Sequence, residues 1–595
     1  MNTIDQSIAA LRAQMSQAKL DAYIIPSSDP HQSEYPAEHW NTRSWVSGFT
    51  GSAGLAIVTQ DHAGVWTDSR YFLQAEEQLA DSEFELHKQL IPHAPEHIDW
   101  LCQQLSKGQR VGCDGLLFSL GQINRLGKAL DAKGIELDYQ HDLIPAVWAD
   151  RPALPKTPIF EHALHYTGQS RQDKLALIQQ KIQAQGATAC LLTTLDDIAW
   201  TFNLRGSDVE CNPVFVAYAI VGANKVQLFM DQEKIPAPLQ TQLEQEGIEI
   251  LPYRAITAIL DTLKAPHRLL VDKDTVSISL YDLIDEEVVL SGPNVPRQLK
   301  AIKNDTEVGH IKAAMLKDGV ALTRLYRWLD QALEEDGITE VDVSQKLDQL
   351  RRAQGDYHGE SFSAIVGYNG NGAIVHYRPT PGSCATLRKE GILLLDSGGQ
   401  YTNGTTDITR TTALGEPTEE QRRNFTLVLK GHIALARLRF PKGTRGIQMD
   451  TLARQPLWEH MLNYGHGTGH GVGFFLNVHE PPQGFAASIS QRGTTPFEEG
   501  MFTSNEPGFY KTGEYGIRIE NLVLTRTAGS NEFGTFLEFE TLTLFPIDLR
   551  LIDVTLLSPE EKNWLNSYHA EVNRQLAPLL DEEEKAWMAD QCRAI

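Results

Sequence analysis

The alternation of apolar and polar positions along the chain predicts an early region in which helices alternate with strands. Such alternation is typical of an α/β domain. The helical patterns cover about 5–18 and 95–107, and the extended patterns cover 21–26, 54–59, 64–72 and 110–114. The segment RPALPKTP, which begins at Arg151, holds three prolines in eight residues and predicts a linker.

The region after this linker repeats the same pattern. A predicted helix at 170–185 is followed by predicted strands at 188–193, 214–221 and 225–230. The segments WVSGFTGSAGLAIV and AWTFNLRGSDVECNPVFVAYAIV each place an aromatic residue and a Gly/Ser turn before a β-rich run. We therefore predict two related α/β domains, over 1–152 and 153–300.

The remaining residues, 301–595, predict one α+β domain with extensive antiparallel pairing. Its helices carry start signals: the capping-box spacing occurs at Asn304 with Glu307 and again at Thr418 with Gln421. A third helix is predicted where Ser558 precedes a proline and, three residues later, a glutamate. The β-rich stretches between these helices are ILLLDSG, TTDITRTT, FTSNEPGFY, GIRIENLVLT and LEFETLTLF.

Composition and charge narrow the class of protein. The chain of 595 residues has 53 Lys and Arg against 77 Asp and Glu, a net charge of −24. This excess argues against nucleic acid and against anionic membranes as partners. The longest apolar stretch, 214–222, is too short to span a bilayer, and the N-terminus has no signal-peptide pattern. Since the six cysteines show no regular spacing, we expect a cytoplasmic protein without a disulfide framework.

Five residues of the third domain have the chemistry of a metal site. Asp396 ends an apolar strand, and Asp407 follows a glycine-rich reversal in the predicted returning strand, an arrangement that can place the two carboxylates side by side. His470 is flanked by glycines that permit close backbone approach. Glu506 precedes a Pro-Gly turn, and Glu520 shares one face of a predicted strand with Arg518.

This oxygen-rich set of four carboxylates and one imidazole suits two divalent ions of the Mn, Co, Mg or Zn kind. Two such ions could hold a bridging hydroxide as nucleophile and polarise a carbonyl. Taken singly, each residue is more often a turn residue, a helix cap or part of a solvated strand face. The five together, in this order, are far more specific.

The motifs DSGGQYTNGTTDITRT, HGTGHGVG, NEPGFY and GIRIEN resemble the signature of the pita-bread metallopeptidases, which include methionine aminopeptidase, prolidase and aminopeptidase P. The similarity is greatest to the long, three-domain cytosolic form of aminopeptidase P and covers essentially the whole chain. It includes SSDPHQSEY and SGFTGSAG in the first domain and DDIAWTFNLRGSD in the second. The resemblance implies two creatinase-like N-terminal α/β domains followed by a pita-bread catalytic domain.

The resemblance also implies the roles of the five ligands. Asp396 would chelate one metal, Asp407 and Glu520 would bridge the two metals, and His470 and Glu506 would complete the shell of the second. Glu506 would also act as general base toward the bridging water. No departure from the family pattern occurs at these five positions.

Four further residues match the family's contacts around the metals. By resemblance, His376 and His466 would hold the substrate backbone or stabilise the oxyanion. His479 would assist proton transfer at the scissile amide, and Arg518 would orient Glu520 or a nearby substrate group. Each could instead make only a structural hydrogen bond.

The implied activity is removal of the N-terminal residue from peptides with proline at the second position. The cofactors would be two divalent ions, Mn²⁺ by family expectation, and the protein would be a homodimer. Two alternatives stay open: a prolidase, which shares the ligands but cleaves only dipeptides, and an inactive pita-bread domain used for binding. Since inactive forms typically lose ligands, the intact set favours an enzyme.

Overall fold

The computed structural model describes residues 4–90, 94–335 and 337–595, which form two compact units. The first unit extends to Leu164 and continues over Gln169–Arg297. The second contains His165–Gly168 and Gln298–Ile595. The predicted boundaries at 152/153 and 300/301 stay a prediction.

The first sheet of the first unit has the strand order β4-β3-β2-β1-β5-β6. The neighbours β1–β2 and β2–β3 are antiparallel, whereas β3–β4, β1–β5 and β5–β6 are parallel. Its strands are β1 (Ala22–Pro26), β2 (Leu55–Thr59), β3 (Ala63–Thr67), β4 (Phe84–Lys88), β5 (Arg110–Cys113) and β6 (Glu136–Asp138).

The second sheet repeats this topology, with the order β12-β11-β10-β8-β13-β14 and the same sequence of antiparallel and parallel neighbours. The predicted internal repeat is thus confirmed, since both halves of this unit contain a six-stranded sheet of the same topology. The remaining strands of this unit are β7 (Phe160–Glu161), β8 (Ala189–Leu192), β9 (Leu204–Arg205), β10 (Ala217–Gly222), β11 (Val226–Met230), β12 (Ile248–Pro252), β13 (Leu269–Val271) and β14 (Val289–Ser291).

Helices alternate with these strands, as the sequence predicts. They are α1 (Ile4–Ala18), α2 (Thr42–Ser47), α3 (Phe72–Leu79), α4 (Glu96–Gln104), α5 (Leu120–Asp131), α6 (Leu164–Thr167), α7 (Arg171–Ala184), α8 (Leu195–Phe202), α9 (Ala237–Gln245), α10 (Ala255–Thr262), α11 (Ile278–Tyr281) and α12 (Val295–Ala301).

The predicted strand at 64–72 is wrong over its second half. The strand ends at Thr67, and a turn follows in which the Asp68 carboxylate accepts hydrogen bonds from the Arg70 backbone and guanidinium. An aspartate that bonds the backbone two residues later competes with strand pairing. Helix α3 then begins at Phe72.

The sheets of the second unit are antiparallel throughout the described strands, in agreement with the predicted α+β class. Their orders are β15-β18-β19, β16-β17-β20, β21-β26-β25-β22 and β23-β24. The strands are β15 (Tyr357–Glu360), β16 (Ile365–Tyr368), β17 (Ile392–Ser397), β18 (Gly399–Tyr401), β19 (Gly404–Thr405), β20 (Ile408–Ala413), β21 (Arg439–Pro441), β22 (Phe502–Asn505), β23 (Gly508–Lys511), β24 (Tyr515–Arg518), β25 (Asn521–Asn531) and β26 (Gly534–Thr541).

Helices pack against these sheets, and the three predicted start signals are confirmed. Reciprocal capping-box hydrogen bonds form at Asn304, Thr418 and Ser558, which begin α13, α15 and α18. The helices are α13 (Asp305–Ala332), α14 (Glu340–Arg352), α15 (Glu419–Ala436), α16 (Gly446–Trp458), α17 (Gln491–Thr494), α18 (Pro559–Leu576) and α19 (Glu582–Gln591).

Candidate active site

Three of the five predicted metal ligands meet in one buried cluster. Ligand atoms of Asp407, His470 and Glu520 all lie within 4.8 Å of one another, and each residue is at most 4% exposed. The His470 Nε2 atom lies 3.5 Å from Asp407 Oδ2.

Glu506 and Asp396 border this cluster. Glu506 Oε1 lies 3.4 Å from His470 Nε2 and accepts a hydrogen bond from Ser504 Oγ. Asp396 Oδ2 accepts two hydrogen bonds from Arg518, at 2.6 Å from Nη2 and 3.2 Å from Nε. Three carboxylates thus lie near the imidazole, and the charge of the fourth, Asp396, acts on Asp407.

The register of β17 with β20 positions the two aspartates. Asp396 lies opposite Thr409, and Ser397 lies opposite Ile408. Asp407 precedes the first residue of β20, so it is a diagonal neighbour of Asp396 on the same face and not its direct partner. The predicted strand assignment of Asp407 is therefore off by one residue, whereas the predicted placement of the two carboxylates side by side agrees with the structure. The short strands β18 and β19 occupy the predicted glycine-rich reversal.

The two glutamates occupy breaks between strands. Glu506 lies between β22 and β23, and Glu520 lies between β24 and β25. The Glu520 backbone N–H donates to Thr409 O, and its Oε2 accepts from Thr409 Oγ1 at 2.9 Å. Thr409 thus holds both the backbone and the carboxylate of Glu520. The predicted continuous strand through GIRIEN is interrupted after Arg518.

The orientation of His470 is fixed by its own chain. Its Nδ1 lies 2.9 Å from Gly471 O, and since a carbonyl can only accept, Nδ1 carries the hydrogen. This leaves Nε2 as the ring atom that faces Asp407 and Glu506. The flanking glycines are sterically required: a Cβ at Gly469 would lie 2.0 Å from Ser504 O, and one at Gly471 would lie 2.3 Å from Glu480 O.

The crowded carboxylates favour protonation when no cation is present. Burial and the charges of Glu520, Asp396 and Glu506 raise the pKa of Asp407 well above its ordinary value. Burial and the charges of Asp396 and Glu506 do the same to the pKa of Glu520. Burial raises the pKa of Glu506 to about 7.

The same residues fit bound cations. Asp396 Oδ1 and Glu520 Oε1 are buried without a hydrogen-bond partner among the described residues. Buried polar atoms without partners are uncommon in folded proteins. Carboxylate oxygens clustered with one imidazole match the coordination preferences of divalent cations of the manganese, cobalt and zinc kind.

Arg518 and His466, two of the further predicted residues, are joined to Asp396 by a hydrogen-bond chain. Arg518 Nη1 donates to Tyr510 OH at 2.6 Å. The same hydroxyl lies 2.7 Å from His466 Nε2. Because His466 Nδ1 faces Gly467 O at 2.8 Å, its Nε2 is the acceptor for the Tyr510 hydrogen. The carboxylate that Arg518 bonds to is that of Asp396, and its predicted role of orienting Glu520 or a nearby substrate group stays a prediction.

The other two predicted histidines also lie near the cluster. The His479 ring packs edge-on against His470 with ring centroids 4.3 Å apart, and its charge lowers the pKa of Glu506. His376 lies in a turn whose preceding residue, Val375, accepts a hydrogen bond from Arg518 at 3.4 Å.

Sequence reasoning missed three residues that support the site: Thr409, Tyr510 and His432. Thr409 and Tyr510 carry local signals, since they follow Asp407 by two residues and Glu506 by four. His432 has none, because it lies on α15 far along the chain. Its Nδ1 lies 3.1 Å from Asn505 O, and its Nε2 lies 3.2 Å from Asn521 Nδ2.

His432 therefore contacts the residue before Glu506 and the residue after Glu520. Burial lowers its pKa to about 3, so the imidazole is neutral and its Nε2 accepts from Asn521. The Asn505 side chain in turn donates to His432 O at 2.9 Å. Asn505 and Asn521 are paired partners of β22 and β25, and His432 bonds to both.

Four family descriptions match the chain along its length. Metallopeptidase family M24 matches residues 309–527, and the C-terminal region of peptidase M24 matches 535–595. Two creatinase/prolidase N-terminal domain families match residues 8–145 and 150–307.

Full-length relatives decide the assignment. A probable Xaa-Pro aminopeptidase P from Laccaria bicolor is 42% identical, with 100% of this chain and 94% of the relative covered. Aminopeptidase P2 from Arabidopsis thaliana is 41% identical, with 100% and 89% covered. The chain belongs to the aminopeptidase P group of metallopeptidase family M24.

The structures agree with this assignment. A crystal structure of an X-prolyl aminopeptidase from Caenorhabditis elegans, described as a cytosolic enzyme with a di-nuclear active site, covers 100% of both chains at 34% identity with a TM-score of 0.95. The predicted fold class is therefore confirmed: two related creatinase-like domains precede a pita-bread domain. The prediction of a metallo-aminopeptidase is confirmed as well. In the described part of the chain, no helix combines the length and the apolar character that crossing a bilayer requires.

Proposed function

We propose that this protein releases the N-terminal residue from peptides with proline at the second position, using two divalent metal ions. The observation that carries the proposal is the buried cluster of Asp407, His470 and Glu520, which Asp396 and Glu506 border. The full-length similarity to relatives named Xaa-Pro aminopeptidase P supports this specificity over that of a prolidase.

The five clustered residues would hold the metals. Asp407 and Glu520 lie centrally and would bridge the two ions, Asp396 would bind one ion, and His470 and Glu506 would bind the other. When bound, the ions would activate a water molecule as the nucleophile and supply positive charge for the scissile carbonyl. We propose Mn²⁺, which suits a mostly carboxylate shell, while Co²⁺, Mg²⁺ and Zn²⁺ remain compatible with the same donors.

Glu506 has the position of a general base. Its carboxylate borders the cluster and is more exposed than the three central ligands, with 17% side-chain exposure against 5% for Asp407 and His470. It can accept a proton from the attacking water and return it to the leaving proline nitrogen. His479, packed edge-on against His470, would assist this transfer.

The chain from Asp396 to His466 positions the substrate side of the site. Arg518 holds Asp396 with two hydrogen bonds and Tyr510 with a third. Tyr510 in turn fixes the His466 ring, which would contact the substrate backbone or the developing oxyanion. His376 would make the second such contact from the turn that Arg518 supports.

Proline at the second position changes what the site must recognise. The Xaa-Pro amide has no N–H, and the proline ring fixes the backbone angle. A dedicated site must therefore bind the ring by apolar contact and hold the amide in place by its carbonyl.

We further propose that the enzyme is a cytoplasmic homodimer whose domains span 1–152, 153–300 and 301–595.

The direct test is hydrolysis of an Xaa-Pro-Xaa tripeptide and of the matching Xaa-Pro dipeptide by the purified full chain. We expect release of the first residue from the tripeptide in Mn²⁺, loss after chelation, and recovery when Mn²⁺ returns. Cleavage of the dipeptide alone would instead make the protein a prolidase. Absence of metal-dependent cleavage of either peptide would favour an inactive binding protein.

A further inference from the structure

A second group of metal-binding side chains lies on the first sheet, at its edge strand β4. In the parallel register of β3 with β4, Gly64 is opposite Glu85 and Trp66 is opposite His87. Because alternate residues of a strand share a face, Glu85 and His87 lie on the same side. His62 precedes β3 by one residue, and ligand atoms of His62, Glu85 and His87 lie within 4.8 Å of one another.

The two imidazoles face each other through the same ring atom. His62 Nε2 lies 3.1 Å from His87 Nε2. Two nitrogens bound to one tetrahedral zinc ion at about 2.0–2.1 Å are themselves separated by roughly 3.3 Å. A zinc ion can therefore be bound with only a small displacement of the two rings.

Both rings are held in place by their surroundings. The His62 backbone N–H donates to Thr59 Oγ1 at 3.0 Å, and its carbonyl accepts from Thr59 N at 2.8 Å. The His87 ring stacks on Trp66, with ring centroids 3.9 Å apart and planes 9° from parallel. Trp100 packs against both histidines from α4.

Gly64 makes room for this arrangement. A Cβ at this position would lie 2.8 Å from His62 Nε2, 2.8 Å from His87 Cδ2 and 2.7 Å from the Trp66 ring. Each of these contacts is too short for a real side chain, and two of them involve the facing histidines. The space between strand and imidazoles thus depends on the missing side chain.

We propose that His62, Glu85 and His87 form a binding site for one zinc-class transition-metal ion, separate from the five-residue catalytic cluster. Two imidazole nitrogens and one carboxylate oxygen would be the protein ligands, with water completing the tetrahedron. Burial lowers the pKa of both histidines, so the neutral, metal-binding form prevails at neutral pH. The ion would connect the β2–β3 turn to edge strand β4.

The test counts bound zinc in full-length protein whose catalytic cluster is disabled by Asp407→Asn and Glu520→Gln. After equilibrium dialysis against Zn²⁺ alone, we expect one tightly bound equivalent. Adding His62→Gln and His87→Gln should remove it. Gly64→Ala should weaken zinc binding at least about tenfold although it removes no ligand, because its Cβ would displace the facing rings.

His39→Gln is the matched control, since His39 is also half-buried beside a tryptophan but lies outside the cluster. It should leave the zinc count unchanged. A second measurement covers the case in which the Asp407→Asn, Glu520→Gln protein does not fold. Wild-type protein should bind one zinc equivalent more than the His62→Gln variant, and the two should have equal Mn²⁺-dependent peptidase activity. Two outcomes would overturn the proposal: zinc binding that persists after His62→Gln and His87→Gln, or the absence of zinc binding by the Asp407→Asn, Glu520→Gln protein. In either case, His62 and His87 would simply share a hydrogen bond.

Discussion

At the scale of single residues, the carboxylates of the proposed metal site are held by hydrogen bonds from neighbouring side chains. Arg518 donates to Asp396, Thr409 donates to Glu520, and Ser504 donates to Glu506. Each donor occupies one carboxylate oxygen and restricts the rotation of that carboxylate. Such support fixes ligand geometry before a cation binds.

We predict that Glu506→Gln lowers kcat for an Xaa-Pro-Xaa tripeptide by at least about 100-fold, because an amide cannot accept the proton of the attacking water. Asp407→Asn should abolish turnover and also reduce metal content, because a central bridging carboxylate is lost. Steady-state kinetics and elemental analysis of the same preparations separate the two effects. Glu532→Gln, an exposed change in the same unit, is the control. Near-normal turnover of either variant would make the assigned roles wrong.

At the scale of elements, the start of α14 organises the segment that leads to His376. Glu340 is fully buried in the first turn of this helix. Its carboxylate accepts hydrogen bonds from the Tyr368 and Ala385 backbone and from the Asn371 and Tyr377 side chains. One helix terminus therefore ties together β16, the turn containing His376, and the loop that follows.

We predict that Glu340→Ala destabilises the second unit by about 2–4 kcal/mol, since it leaves several buried donors without an acceptor. Glu340→Gln, which keeps one carbonyl oxygen, should cost less than half as much. Denaturant unfolding with a probe in this unit measures the difference. The exposed neighbour Glu335→Ala should change stability by no more than about 0.5 kcal/mol. Equal effects of Glu340→Ala and Glu335→Ala would contradict the assigned role.

At the scale of the whole molecule, acidity has two different origins. The net charge of −24 is distributed mostly over the solvated surface, where it keeps the protein away from polyanions. The four carboxylates of the catalytic cluster are a separate case, because burial makes their repulsion strong. Their protonation opposes metal binding, so metal binding and pH are linked.

We predict that metal affinity falls as the solution is acidified from pH 7.5 to pH 5.5, by roughly tenfold or more for one competing proton with a pKa near 7. The sign follows from the raised pKa of folded Glu506. Without metal, the folded protein keeps a proton that the unfolded chain releases, so this contribution to stability is present below about pH 4.5 and is lost as pH rises through about 7.

Thermal unfolding of chelated and Mn²⁺-loaded protein across this pH range checks the prediction. The gain in melting temperature on adding Mn²⁺ should grow with pH. Glu506→Gln, which cannot titrate, should show a flatter dependence. An equal gain at pH 5.5 and pH 7.5 in the wild type would count against the linkage.

The sequence by itself determined the succession of elements and the motifs from which the metal ligands are predicted. Apolar periodicity and capping residues are local signals, so α13, α15 and α18 begin at the predicted Asn304, Thr418 and Ser558. The five residues that these motifs single out lie in or beside one buried cluster, and their role as metal ligands stays a prediction. The strand error at 64–72 also has a local cause, the turn made by Asp68.

Only the tertiary structure decided which groups touch. The diagonal placement of Asp407 depends on strand register, and the link from Arg518 to Asp396 joins residues 122 positions apart. No sequence pattern marks His432, His62 or His87, because the residues that contact them come within hydrogen-bond distance only in the folded chain. Register and long-range side-chain contacts arise from packing across the whole domain, which no local pattern encodes.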